Sequence, residues 1–106
     1  MPTFVFSYRS RPGYTSTPES GAAWMAWFRG MGDQIADLGK PAVDRAVLGD
    51  CGPATELSGY SLISAADLES AVALAKGCPA VDSGGGVEVG LLGEVPSSGG
   101  TGPQPG

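Results

Sequence analysis

Polar and apolar positions alternate from the first residues of the chain. In Thr3 to Arg9, Phe4, Phe6 and Tyr8 fall on one side, and Val5, Ser7 and Arg9 on the other. A period of two in aromatic and β-branched residues predicts a strand over 3–9 with a buried aromatic face. The turn-rich stretch 10–17 follows. Thr17 then precedes Pro18, a hydroxyl N-cap ahead of a proline at the first helical position. Trp24, Trp27, Phe28, Met31, Ile35 and Leu38 recur at helical spacing, which predicts a helix reaching Leu38. Gly39 then stands as the residue after the C-cap and Pro41 as the stop.

The second half of the chain repeats this plan. Residues 42–48 (AVDRAVL) predict a second strand, 49–56 a glycine- and proline-bearing loop, and 57–63 (LSGYSLI) a third strand. Ser64 predicts the N-cap of a second helix, with Asp67 three residues on as the acid of a capping-box variant. Leu68, Ala71, Val72 and Ala75 supply that helix's apolar face. Gly77 and Pro79 end it. After a glycine-rich turn at 80–86, residues 87–92 (VEVGLL) alternate again as a fourth strand. The expected order is β-α-β-β-α-β, an α+β ferredoxin-like fold with an antiparallel four-stranded sheet and two helices on one face. The opposite sheet face would stay apolar and open. Such faces are rarely left in water, so the expected assembly is a homodimer stacked sheet to sheet, a dimeric α+β barrel.

The chain has 106 residues, 42% of them apolar and 16% charged, with a net charge of −5. That length bounds one domain, expected over 1–95, with a flexible Gly/Pro/Ser tail over 96–106. The acidic balance and the scattered basic residues speak against nucleic acid and anionic lipid surfaces as partners. No apolar run is long enough to span a bilayer, and the N-terminus does not read as a signal peptide. Cytoplasmic residence with free thiols is the expectation. Cys51 and Cys78 stand apart, and the chain has no histidine, so no metal site is expected. The glycine clusters, Gly84 to Gly86 among them, lack the Gly-Lys-Ser/Thr ending of a phosphate loop, and no cofactor is expected.

The stretch Asp50-Cys51-Gly52-Pro53-Ala54-Thr55-Glu56-Leu57-Ser58-Gly59-Tyr60 resembles the DGPF motif region of the YCII-related family. Cys51 is inserted between the motif's acid and glycine, and the spacing to Gly59-Tyr60 is shorter. Ile63 to Ala71 looks like that family's helix entry, and Val87-Glu88-Val89 like its closing strand. The resemblance covers residues 3–92. It implies a dimeric α+β barrel, among whose relatives are enzymes of small aromatic or chlorinated compounds. A His–Asp pair proposed as a site in one branch has no counterpart here.

Without histidine, a general base near neutral pH would have to be a carboxylate or a thiolate. Asp50, the acid matching the motif, is the candidate base; it equally suits capping of its own turn. Arg9 could hold a carboxylate or phenolate through two parallel hydrogen bonds, and Tyr8 could donate one. Tyr60, Trp24, Phe28 and Cys51 are candidate pocket residues, Cys51 with no base beside it in sequence. The readings carried forward are a domain that binds or transforms a small aromatic or polyketide-like molecule between sheet and helices, and a non-catalytic dimerisation or accessory module.

Overall fold

The computed structural model describes residues 1–94; the expected 96–106 tail lies outside them. Strand β1 (Thr3–Ser10) leads to helix α1 (Pro18–Met31), strand β2 (Ile35–Asp37) and strand β3 (Glu56–Ser64). Helix α2 (Leu68–Ala75), the single turn α3 (Pro79–Asp82) and strand β4 (Gly86–Leu91) complete the order. The sheet has four strands in the order β2-β3-β1-β4, with every neighbouring pair antiparallel. This is the ferredoxin-like α+β arrangement, with β1 and β3 at the centre.

The aromatic side of β1 forms the core. Phe4, Phe6 and Tyr8 are buried, together with Ile63 from β3, Met31 from α1, Ala71 and Ala75 from α2, and Cys78 and Ala80 around α3. The alanine face of α2 lets that helix sit close to the sheet. Cross-strand partners share a face, so the pairs Val5–Leu62 and Ser7–Tyr60 place those four residues on the outer side of the sheet.

Helix α1 starts where the sequence places it. Thr17 Oγ1 accepts from the Ser20 amide at 3.1 Å, and Ser20 Oγ accepts from the Thr17 amide at 2.9 Å. Its end does not follow the helical periodicity. Gly32 takes φ +52° and donates its amide to the Phe28 carbonyl, closing the helix at Met31. Ile35 therefore leaves the helical face, turns into β2 and pairs with Ile63.

The strand expected at 42–48 is absent. The outer edge of β3 is already occupied by Ile35–Asp37 and by a bridge from Pro41 to Gly59. The expected place of 42–48 beside β3 is thus taken, and the segment runs without regular structure, with Val43 and Leu48 about nine-tenths exposed. The expected Ser64 cap is likewise corrected. Ser64 pairs with Thr3 as the last residue of β3, and Asp67 is itself the N-cap, its carboxylate accepting from the Ser70 amide at 2.8 Å. The glycine-rich turn begins with the short helix α3, which the proline at 79 initiates.

Candidate functional site

The end of β1, the middle and last turn of α1 and the segment after β2 border a partly open cavity of about 360 Å³. Tyr8 and Trp24 border it, their rings edge to face at 4.8 Å, and Phe28 lies 5.6 Å from Trp24. Tyr14, from the turn after β1, adds a further aromatic side chain, and Lys40 and Arg45 add two cations. Tyr60 borders it as well, next to the close approach of Gly39 to the Tyr60 carbonyl. Four of the sequence candidates, Tyr8, Trp24, Phe28 and Tyr60, thus meet at one cavity. The other three do not reach it.

Arg9, Asp50 and Cys51 border a separate hollow of about 600 Å³, floored by Val47, Pro53 and Leu57. Arg9 spends its donors on the loop before β3. Nε donates to Thr55 Oγ1 at 2.7 Å, and one terminal nitrogen donates to the carbonyls of Cys51 and Thr55, both at 2.8 Å. These contacts fasten the 51–55 segment to the sheet. The Asp50 carboxylate accepts from the Gly52 amide at 3.3 Å, the geometry of an Asx turn. Cys51 is exposed, its thiol 3.4 Å from the Leu48 carbonyl.

Tyr14, Lys40 and Arg45 are cavity residues that the sequence reading did not single out. All three lie on irregular segments, whose paths in space are not written in a local periodicity. The Gly39-Lys40-Pro41 punctuation was the available signal: it fixes a turn and so the place of the lysine inside it. Arg45 pairs with Glu56 at 2.6 Å. Lys40 makes no ion pair among the described residues.

Behind the cavity the core is polar at one point. Tyr8 Oη donates to Ser61 Oγ at 2.8 Å, and Ser61 Oγ donates to the Leu38 carbonyl at 2.7 Å. Burial pushes the Tyr8 phenol from its usual 10.0 up to about 12; the Ser61 hydrogen bond opposes this, and the nearby Cys78 adds to it. Burial also pushes the Cys78 thiol from 9.0 to about 11, against the amides of Ala80 and Val81. Both groups hold their protons more tightly when folded, so the unfolded chain releases protons first as pH rises. So far as these two groups decide it, stability should be level near neutral pH, fall from about pH 9 as the unfolded thiol titrates, and fall further above about pH 10 as the unfolded phenol follows. Urea unfolding at pH 7 to 12 measures this. Cys78→Ala should move the onset up by about one pH unit, and an unchanged onset would show that Cys78 is not responsible.

Among the described residues, no group of three or more His, Cys, Asp or Glu side chains could hold a metal ion, and no helix is long and apolar enough to cross a membrane. No protein-family model matches the sequence, nor does any curated protein. Among solved structures, the chain is similar to 5-chloro-2-hydroxyhydroquinone dehydrochlorinase (TftG) from Burkholderia phenoliruptrix AC1100, in complex with 2,5-dihydroxybenzoquinone. The TM-score is 0.64 at 16% identity, over 88% of this chain and 95% of that one. The two share a fold. That likeness agrees with the α+β architecture read from the strand order, and at this identity it assigns no activity.

Proposed function

We propose that this domain binds a small aromatic anion in the cavity between the sheet and α1. The observation that carries this reading is the composition of one partly open cavity: Tyr8, Tyr14, Trp24 and Phe28 supply flat apolar surface, and Lys40 and Arg45 stand at the same cavity. A volume near 360 Å³ lies at the small end of ligand pockets and suits a single substituted ring. Aromatic walls favour a planar guest through offset and edge-to-face contacts, and a cation without an ion pair selects for negative charge. TftG, with the same fold, was solved with a quinone, which supports a ring-shaped ligand here. A YCII-related ancestry belongs to this reading and is supported by the Asp50–Tyr60 stretch together with the shared fold.

The test is isothermal titration of the full chain with benzoate and hydroxybenzoates, against the matching neutral amides. The acids should bind and the amides should bind more weakly. Trp24→Ala should weaken acid binding at least tenfold, because it removes the ring facing Tyr8. Heat signals absent for every acid at millimolar concentration would end the proposal.

A second reading, a dimerisation module, is favoured by the outer sheet face. Val5, Leu57, Tyr60 and Leu62 lie there, with Leu57 42% and Tyr60 40% exposed. In this reading two copies stack these faces, and Tyr60 belongs both to the interface and to the border of the ring-binding cavity. Light scattering should then give twice the mass of 10.6 kDa. Leu62→Glu should return the monomer with the fold retained, since a charge on an apolar interface is costly to desolvate. A monomeric parent chain would exclude this assembly.

A further inference from the structure

The hydrogen bonds behind the cavity run in one direction only. The Leu38 carbonyl has no proton to give, so its 2.7 Å contact with Ser61 uses the Ser61 hydroxyl proton. A serine hydroxyl carries one proton. The 2.8 Å contact between Ser61 and Tyr8 must therefore use the proton of Tyr8. Ser61 is fully buried, and both of its hydroxyl contacts are to these two protein groups. The phenolic oxygen of Tyr8, its only proton committed inward, has lone-pair capacity left over. Tyr8 borders the cavity, and the chain of bonds runs from it toward Leu38, two residues before Lys40 on the same cavity.

We propose that Tyr8 acts as a fixed hydrogen-bond acceptor that makes the cavity selective for hydroxylated aromatic anions, the ligand's hydroxyl donating to Tyr8 Oη and its anionic group facing Lys40. This rests on the reading that the cavity binds aromatic anions. A guest that places an ether, carbonyl or halogen at the same point sets lone pair against lone pair. A site that must be satisfied by a donor discriminates against isosteres that lack one. Ser61 is the positioning residue: it touches no ligand and fixes the direction of the Tyr8 proton.

The experiment is titration of the full chain at pH 7 with 3- and 4-hydroxybenzoate, with the fluorobenzoates of matching substitution, and with unsubstituted benzoate. Fluorine is close to hydroxyl in size and carries no proton. For at least one ring position, the hydroxyl compound should bind about tenfold more tightly than its fluoro partner. In Ser61→Ala the Tyr8 proton is released and can turn to the ligand, so the ratio should fall to about two or less while benzoate affinity stays within twofold. Tyr8→Phe should give the same loss of preference, and circular dichroism checks that both variants are folded. Equal affinities for hydroxyl and fluoro compounds in the parent chain overturn the proposal. So does a preference that survives undiminished in both folded variants. Failure of all the acids, benzoate included, overturns the aromatic-anion reading itself and the selectivity with it.

Discussion

Gly39→Ala is expected to cost the fold about 3 kcal/mol or more, whereas the same change at Gly49 should cost about 1 kcal/mol. Both glycines sit in the left-handed region, at φ +77° and +73°, where a side chain is strained by roughly the smaller amount. They differ in what a methyl group would meet. At Gly49 nothing lies within 4 Å, but at Gly39 the new Cβ would stand 1.7 Å from the Tyr60 carbonyl oxygen and 3.1 Å from the Ser61 Cα. Those neighbours are backbone atoms of β3 and cannot turn away as a side chain can. Relief requires moving the 38–41 segment off the strand. That movement would break the 3.3 Å bond from the Tyr60 amide to the Lys40 carbonyl and the bridge from Pro41 to Gly59. It would also carry Lys40 away from the cavity, so aromatic-acid binding should fall together with stability. Urea unfolding of the two variants makes the comparison, with equal slopes confirming that the unfolded states match. Equal midpoints would show that the close approach at Gly39 is not a constraint on the fold.

The same glycine shows where the sequence could be read and where it could not. Strand β1 was legible because three aromatic residues alternate within eight positions, and no other local structure puts Phe4, Phe6 and Tyr8 on one side. The start of α1 was legible because capping is local chemistry: Thr17 and Ser20 exchange their bonds across a single turn. Its end was not. Ile35 and Leu38 continue the helical spacing, and only Gly30 and Gly32 contradict it. The chain nevertheless leaves the helix at Gly32, and a three-residue β2 completes the edge of β3. With Ile35–Asp37 placed there, 42–48 lost its expected place beside β3, and Gly39 became a contact point between segments instead of a helix terminus. The site divides the same way. Aromatic residues in regular elements were visible as candidates. Which of them would share a cavity, and that Tyr14, Lys40 and Arg45 would join them, depends on loops whose course follows from the whole fold.

Trp27→Ala should be among the most damaging single changes in the domain, at roughly 3–5 kcal/mol. The indole joins parts that have little else in common. Its ring lies 6.1 Å from Phe6 and 5.9 Å from Tyr8 on the sheet, and 5.6 Å from Trp24 and 5.3 Å from Phe28 on its own helix. Its Nε1 donates to the Leu74 carbonyl of α2 at 3.1 Å. The chain has also made room for it: a Cβ at Gly77 would come within 3.1 Å of Trp27 Cδ1. Met31 is the one buried residue of α1 among those described, so the partly buried aromatic cluster is what holds that helix to the sheet. A domain of this size has roughly 5–10 kcal/mol of stability in all, and a loss at the upper end would leave it partly unfolded at room temperature. Trp27→Phe separates the contributions. It keeps most of the ring contact and leaves the Leu74 carbonyl without its donor, which should cost about 1–2 kcal/mol. Trp24→Ala provides the contrast, because Trp24 borders the cavity and makes no hydrogen bond to another element among the described residues. It should lose ligand binding while keeping most of the stability that Trp27→Ala removes. If chemical unfolding instead places Trp27→Ala within about 1 kcal/mol of the parent chain, α1 is held by something other than this indole, and the cavity wall it supports must be explained by Met31 and Phe28 alone.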